Sequence, residues 1–443
     1  MPAVRMICLV LRPMRARCSR NVVLLITGAT LAAAAVSALA LPAQATPRAS
    51  LKKELREHGL NAERVWDCHR RRHGSAVCRW RATGRLKTGL DYECEGKARF
   101  LAEKRRWKID KCDEPMVTLL SEPEAPPTFG YNDDWDASSP QAPIPTYPLL
   151  AQSGAEVARA FLAWRSISPF GPGYQWGPAE SIYISFRSIG LRPLWVLHDA
   201  PCWAAAPDDC AQTEKPPDPD HYDEFAAFAA ELARRYPDSA GIEVWNEPNY
   251  GEFWGGAADP EAYGELLGQV ATAVHTAAPG MPVIMAGLVP LQGTNYATMK
   301  DEEFLRRAYE TGGPQLADAI AAHPYPSVPY KDDYLGKIRS ILFRYRRVMS
   351  EFGDLARPLW VTEVGFSTAG EKPYTEEQQA TALTKAYEQF LRINNLPVVI
   401  YHRFVDESET HSADPESGYG VVRSDGTPKP AYCAIAAARG RPC

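Results

Sequence analysis

Two glutamates sit where strand-like runs end. In GIEVWNEPNYGEFW, residues 241–254, the run Ile242-Glu243-Val244-Trp245 stops at Asn-Glu-Pro and leaves Glu247 at its tip. In PLWVTEVGF, residues 358–366, a second run leaves Glu363. Such a pair suits cleavage of a glycosidic bond with retention. One protonated carboxyl gives the leaving oxygen a proton, and an ionised one, about 5–5.5 Å away, attacks the anomeric carbon. Their surroundings must push the two pKa values apart: burial or negative charge raises the acid, while a cation and hydrogen bonds hold the nucleophile ionised. Arg159, in an early apolar run, is a credible cation beside Glu363, and Tyr325 a credible donor to the same carboxylate. Asn246, next to Glu247, could hold a sugar hydroxyl. A lone Glu247 would read as a helix-start acid, because carboxylates favour helix N-termini. Glu363, flanked by Trp360, Val361 and Val364 in a burying strand, has no such bland reading, and the two together point to catalysis.

Residues so placed need strands to carry them. Short apolar runs at 128–132, 158–164, 192–198, 241–246, 282–288, 318–323, 358–363 and 397–404 alternate with amphipathic stretches, the clearest at 220–236, 260–278, 301–311, 334–352 and 375–394. This is the pattern of βα units around a parallel sheet. Eight such runs fit an α/β fold of the (β/α)8 TIM-barrel class, with a doubly wound open sheet as the alternative. A barrel puts its site at the C-terminal ends of the strands. There stand Arg159 on the second strand, His198 and Asp199 on the third, Asn246 and Glu247 on the fourth, His323 and Tyr325 on the sixth, Glu363 on the seventh and Tyr401-His402-Arg403 on the eighth. Trp164, Trp176, Trp203, Trp254, Tyr325 and Phe404 lie on or after strand ends, where sugar rings could stack, although aromatics also anchor cores and loops. His198 is as readily a core histidine as a sugar contact. No Gly-x-Gly-x-x-Gly or P-loop follows any strand, so a nucleotide site is unsupported. The run Asp406-Glu-Ser-Glu409 lacks the ligand spacing of a calcium loop and reads as a solvated loop. No metal and no organic cofactor is expected.

WNEP at one strand end and WVTEVGF at a later one resemble the retaining glycosidases of clan A, nearest in look to families 39 and 5. FGYNDDW resembles the first strand of that group, ARAFLAWRSISPFGPGYQW the second strand and its loop, PLWVLHDAPCWA the third, and AAHPYP the sixth with its His-x-Tyr element. The resemblance spans about 128 to 438 and leaves out 46–127. It implies Glu247 as acid/base, Glu363 as nucleophile and Asn246 as partner of the sugar 2-hydroxyl. It further implies that Arg159 and Tyr325 support the nucleophile and that His323 shapes the subsite. Many relatives carry a tryptophan platform at the end of strand eight; here the stretch is VVIYHRFVD, so Tyr401 or Phe404 serves, or the platform is missing.

Upstream of the barrel the chain changes character. Arg5, Arg12, Arg15, Arg17 and Arg20 precede an apolar run over 22–41, and Ala43-Gln44-Ala45 follows, which describes a secretory signal over 1–45 with an uncleaved anchor as the alternative. An exported chain with eight cysteines beyond the signal suggests disulfides, pairing neighbours as Cys68–Cys78, Cys94–Cys112, Cys202–Cys210 and Cys433–Cys443. Zinc is the weaker reading, as no Cys-x-x-Cys occurs. Residues 46–112 form a small, β-rich, disulfide-stapled module, with a helix expected at 51–60 and strands at 76–80 and 106–110. A Pro-rich linker follows at 113–127, then the glycosidase-like barrel at 128–443. Charge is divided: 50–112 holds 18 Lys/Arg against 9 Asp/Glu, whereas 113–443 holds 25 against 45. The basic module either binds an acidic polysaccharide or envelope polymer, or docks on an acidic partner within its own chain, or is simply solvated. Nucleic acid is a poor partner for an exported protein.

The expectation is therefore an exported retaining glycoside hydrolase acting on β-linked poly- or oligosaccharide. Its competitors are a catalytically weak barrel that binds carbohydrate, and a transglycosylase.

Overall fold

The computed structural model describes residues 46–443 except 58–59, 71–74, 86–90, 102–103, 105, 110–113, 117–124, 137–145, 206–213, 292–296, 327–332 and 408–412. The expected signal over 1–45, with its apolar run 22–41, lies outside the described residues. Among the described residues no helix is long and apolar enough to cross a membrane.

The N-terminal module begins with α1 (Pro47–Glu57), followed by β1 (Asn61–Arg70), β2 (Ala76–Arg85), β3 (Asp91–Leu101), β4 (Arg106–Ile109) and β5 (Glu114–Met116). The strands form one antiparallel sheet in the order β1-β2-β3-β4, with β5 also pairing β3. Strand alternation makes the sheet two-faced. Ala76, Cys78, Trp80 and Ala82 of β2, Ala98 of β3 and Trp107 of β4 are buried in one cluster with Leu51 and Leu55 of α1, and Trp107 Nε1 donates to Ser50 Oγ at 3.1 Å. The Cys68–Cys78 disulfide ties β1 to β2. Two features differ from expectation. β3 carries a charge on most alternate residues and β1 is interrupted by Glu63, Arg64 and Asp67, which hides their strand character from a search for apolar runs. β5 falls in the stretch read as linker; its Pro115 is tolerated because the strand pairs on one side only.

The large domain closes eight parallel strands into a barrel: β6 (Thr128–Asp136), β7 (Val157–Ala163), β8 (Arg192–His198), β9 (Gly241–Val244), β10 (Val283–Met285), β11 (Ala319–Ala322), β12 (Leu359–Val361) and β13 (Val398–His402), with β13 pairing β6. Around it run α2 (Tyr147–Gln152), α3 (Trp164–Ile167), α4 (Gly177–Ser188), α5 (Tyr222–Arg235), α6 (Pro260–Ala277), α7 (Asp301–Glu310), α8 (Tyr334–Glu351), α9 (Glu376–Phe390) and α10 (Pro430–Ala438). The helices start where local chemistry favours it. Asp259 accepts from Ala262 N ahead of Pro260, and Thr375 with Gln378 forms a reciprocal capping box at α9. Cys433–Cys443 closes the chain end. Cys202 is disulfide-bonded; position 210, like the expected pairing of Cys112, lies outside the described residues.

Period-two alternation sorts each strand into outward and inward residues. Outward side chains such as Phe129, Leu162, Trp195, Val244 and Val399 pack under the helices. Inward ones form a smaller apolar plug that includes Val157, Leu194, Ile284, Trp360 and Ile400. Continuing the inward series toward the strand ends brings in Asn132, Arg159, His198, Glu243, His323, Thr362 and His402. A polar layer thus rests on an apolar one.

Candidate active site

The fourth strand ends early. Trp245 and Glu247 take φ of 75° and 47°, which breaks the pleat after Val244 instead of at the expected 246. Hydrogen bonds hold this turn. Trp245 N donates to Leu197 O and Glu247 N to Gly287 O, while the Asn249 side chain bridges to Val289 and Met299. Gly287 is needed here: a Cβ on it would lie 2.1 Å from the His323 ring.

Arg159 is the hub. Fully buried, it donates through Nε to Glu243 Oε2 at 2.7 Å, through one terminal nitrogen to Glu363 Oε1 at 2.5 Å, and through the other to Asn246 Oδ1 at 2.8 Å. Glu363 also accepts from Asn132 Nδ2 at 3.1 Å and from the Tyr325 hydroxyl at 2.8 Å. Because Asn246 accepts through its oxygen, its NH2 is the end left to donate.

His323 joins the two glutamates. Its Nδ1 lies 2.7 Å from Glu247 Oε1 and 3.8 Å from Glu363 Oε2. Its Nε2 lies 3.1 Å from Thr362 Oγ1, and that hydroxyl donates to Glu243 Oε1 at 3.0 Å. A hydroxyl has one proton to give. With that proton on Glu243, Thr362 accepts from His323, so Nε2 carries a hydrogen. Nδ1 is then the ring nitrogen that faces Glu247. The chain Glu243–Thr362–His323–Glu247 fixes the imidazole edge against the acid position.

The two carboxyls are pushed in opposite directions. Burial raises Glu247, with the nearby negative Glu363 adding to it, and the contact with His323 offsets only part. Burial would raise Glu363 too, but His323, Arg159, His402 and the Tyr325 hydrogen bond outweigh it and bring it down to about 2. Oxygens of Glu247 and Glu363 and a nitrogen of His323 lie within 4.8 Å of one another. That trio offers the atoms a cation would need, but Arg159 already supplies the positive charge at Glu363. A second trio, His198, Asp199 and Glu214, is similarly close; there Arg165 pairs with Asp199 at 3.0 Å.

Of the residues singled out from sequence, the structure brings together Glu247, Glu363, Asn246, Arg159, His323 and Tyr325. His198 stands inward on β8, edge-on to Phe161 at 5.4 Å. The other aromatics pack elsewhere. Trp164 is buried against Trp203 and Phe225, Trp176 stacks on Phe228, and Trp254 packs on Trp245 and Tyr263. Tyr401 shares the outward parity of Val399 and donates its hydroxyl to Leu383 O at 2.7 Å, so it cannot serve as a platform. Phe404 is likewise buried against Tyr131. The inward residue at that strand end is His402, whose ring lies 5.1 Å from that of Tyr419 and 6.1 Å from that of Tyr325. His402 Nδ1 accepts from Asn132 Nδ2 at 3.0 Å, and its Nε2 donates to Glu416 Oε2 at 2.9 Å. Burial pulls the His402 pKa down, yet Glu416 and Glu363 outweigh it and the net shift is upward.

Asn132, Glu243, Thr362, His402 (named above only within the end of the eighth strand), Glu416 and Tyr419 are thus members of the site to which the sequence reading assigns no role. Inward parity is the available signal for the first four; the last two return on the loop after β13 and leave none. The acidic run at 406 also differs from expectation. Asp406 pairs with buried Lys429 at 2.7 Å and Glu407 with Arg403 at 2.5 Å, so these two are ion-paired and not merely solvated.

No protein-family model and no curated protein sequence matches the chain. Solved structures do resemble it. A family 39 glycoside hydrolase from the gut symbiont Bacteroides cellulosilyticus WH2 aligns with a TM-score of 0.58 and 19% identity, over 84% of this chain and 79% of that one. A monomeric beta-xylosidase from Caulobacter crescentus CB15 aligns at 0.52 and 20%, over 70% and 68%. A glucosidase from Croceicoccus marinus aligns at 0.54 and 15%, over 72% and 68%. The likeness is one of fold: an eight-stranded parallel barrel with helices around it.

Proposed function

We propose that the chain is an exported retaining glycoside hydrolase that cleaves β-configured O-glycosidic bonds of a poly- or oligosaccharide. The observation that carries this reading is the carboxylate pair, with oxygens of Glu247 and Glu363 within 4.8 Å. Inversion needs room for a water between carboxyls about 6.5–9.5 Å apart, whereas direct attack needs about 5–5.5 Å. The opposite pKa directions add support, since one group must hold a proton while the other lacks it.

In the first step the anomeric carbon–oxygen bond breaks, the Glu247 proton passes to the departing oxygen, and a Glu363 oxygen bonds to the anomeric carbon. Arg159, Asn132 and Tyr325 keep Glu363 ionised and aimed. Asn246 donates to the sugar 2-hydroxyl, its own orientation set by Arg159. In the second step Glu247, now ionised, takes a proton from water; the water oxygen bonds to the anomeric carbon and the bond to Glu363 breaks. The balance is one bond hydrolysed, with both carboxyls restored. The disulfides agree with an oxidising compartment.

The test is release of reducing ends or aryl leaving groups from a panel of β-linked polysaccharides and aryl glycosides. Activity on some member, abolished by Glu363→Gln and strongly reduced by Glu247→Gln, is expected. Activity that survives both substitutions would overturn the assignment.

A further inference from the structure

The module's sheet has one face under α1 and another that is open. Parity and register put a concentrated set of cations on the open face. Arg79 of β2 pairs in register with Lys97 of β3, and Arg99 of β3 with Lys108 of β4. Arg106 shares the face as the alternate neighbour of Lys108. Arg79, Lys97, Arg99, Arg106 and Lys108 are exposed, within a chain whose barrel carries the opposite charge. Like charges opposite one another across strands destabilise a sheet. Such a set needs a reason beyond folding; Asp67 lies 4.0 Å from Arg79. These cations gather where β2, β3 and β4 run side by side.

Neighbouring strands lie about 4.8 Å apart and alternate residues about 7 Å apart. The cations thus form a lattice with spacings of that order, suited to a linear polymer bearing a regular series of anions rather than to one small anion. Most of the set is arginine, whose guanidinium grips carboxylates in pairs. We propose that this face binds a uronate-bearing polysaccharide and holds it for the barrel. The inference rests on the glycosidase reading of the barrel, because a β-linked polyuronate presents both sugar linkages for the carboxylate pair and a series of carboxylates for the sheet. The strands' edges are not used; the contact is across the face, through side chains, and is electrostatic.

The experiment uses the full chain carrying Glu363→Gln, so that bound polymer is not consumed, on immobilised β-linked polymannuronate, on neutral dextran and on phosphatidylglycerol vesicles. Retention on polymannuronate alone is expected, weakening steeply as salt rises because the interaction is screened. The triple change Arg79→Glu, Lys97→Glu, Arg99→Glu should weaken retention at least tenfold. A milder triple change to Gln at the same positions should weaken it in the same direction, with the melting temperature showing that the module still folds. Both sets placed in the otherwise unaltered chain should leave hydrolysis of a small aryl glycoside unchanged. Absence of retention, retention untouched by either triple change, or preference for vesicles or dextran would overturn the proposal. Loss of aryl glycoside hydrolysis in the unaltered chain would instead count against the barrel reading.

Discussion

The barrel and the N-terminal module handle charge in opposite ways. Inside the barrel Arg159 and Glu243 have no exposed side-chain surface and are joined by a 2.7 Å ion pair. In the module Arg79 keeps 56% of its side chain in water and lies 4.0 Å from Asp67. A buried charge cannot be left unpaired, so each one specifies the position of its partners, and position is what bond chemistry requires. A displayed charge is individually weak and geometrically loose. It acts only in numbers, which suits holding a polymer but not cutting it.

The largest effects should come from the buried set. Glu363→Gln should lower kcat/KM by about 10³-fold or more, as removal of a nucleophile does elsewhere. Glu247→Gln should cost a similar amount on oligosaccharides but much less on aryl glycosides whose leaving group needs no proton; equal losses on both would contradict an acid role.

Arg159→Met separates the two regions by stability. It strands Glu243 and Glu363 without their cation, and should cost about 3–5 kcal/mol of unfolding free energy. Arg79→Met, on the module's open face, should change it by no more than about 0.5 kcal/mol. Comparable losses in denaturant titrations would erase the contrast.

The pH dependence follows from the same pair. Glu363 is lowered to about 2 from an ordinary 4.5. A depressed carboxyl stabilises the fold above its unfolded pKa, and that stability is lost as pH falls from about 4.5 through about 2. The shift is worth roughly 3 kcal/mol. Glu363→Gln should therefore flatten the acid side of the stability profile. Glu247 is raised, so kcat/KM should decline on the alkaline side as Glu247 loses its proton, at a pH above the ordinary carboxylate range. Thr362→Val, which removes the hydroxyl that receives the His323 proton, should move that alkaline limb and leave the acid limb alone.

The smallest effects concern the end of strand eight. Tyr401→Phe loses one buried hydrogen bond, about 1 kcal/mol of stability, with kcat unchanged. His402→Ala should lower kcat by about tenfold while the fold persists, since it removes one of several groups holding Glu363 ionised. The reverse pattern would restore Tyr401 as the residue facing substrate.

Much of the barrel and its carboxylate pair is legible in the amino-acid order. Long amphipathic stretches and repeated apolar runs announce a barrel because helices must cover buried parallel strands. Glu247 and Glu363 stand out because charged residues at the tips of such runs have few structural reasons to be there. What stays hidden has particular causes. Which of Tyr401 and His402 faces inward depends on parity, and a shift of one residue reverses it. Glu243 and Thr362 lie within or beside apolar runs, so they read as interruptions rather than as members of a network. Tyr419 and Glu416 meet His402 through a returning loop that no local pattern encodes. In the module, β3 sets charges at 91, 93, 95, 97 and 99, and this composition masks a strand that parity alone would reveal.

The most direct test is the configuration of the first product. Hydrolysis of a reactive β-aryl glycoside, followed by proton NMR from the earliest seconds, separates the anomers before they equilibrate. The carboxylate pair predicts the β-anomer first, with mass spectrometry of a trapped sugar adduct locating it on Glu363. Initial release of the α-anomer would mean a single displacement by water, and the roles assigned to Glu247 and Glu363 would fall together.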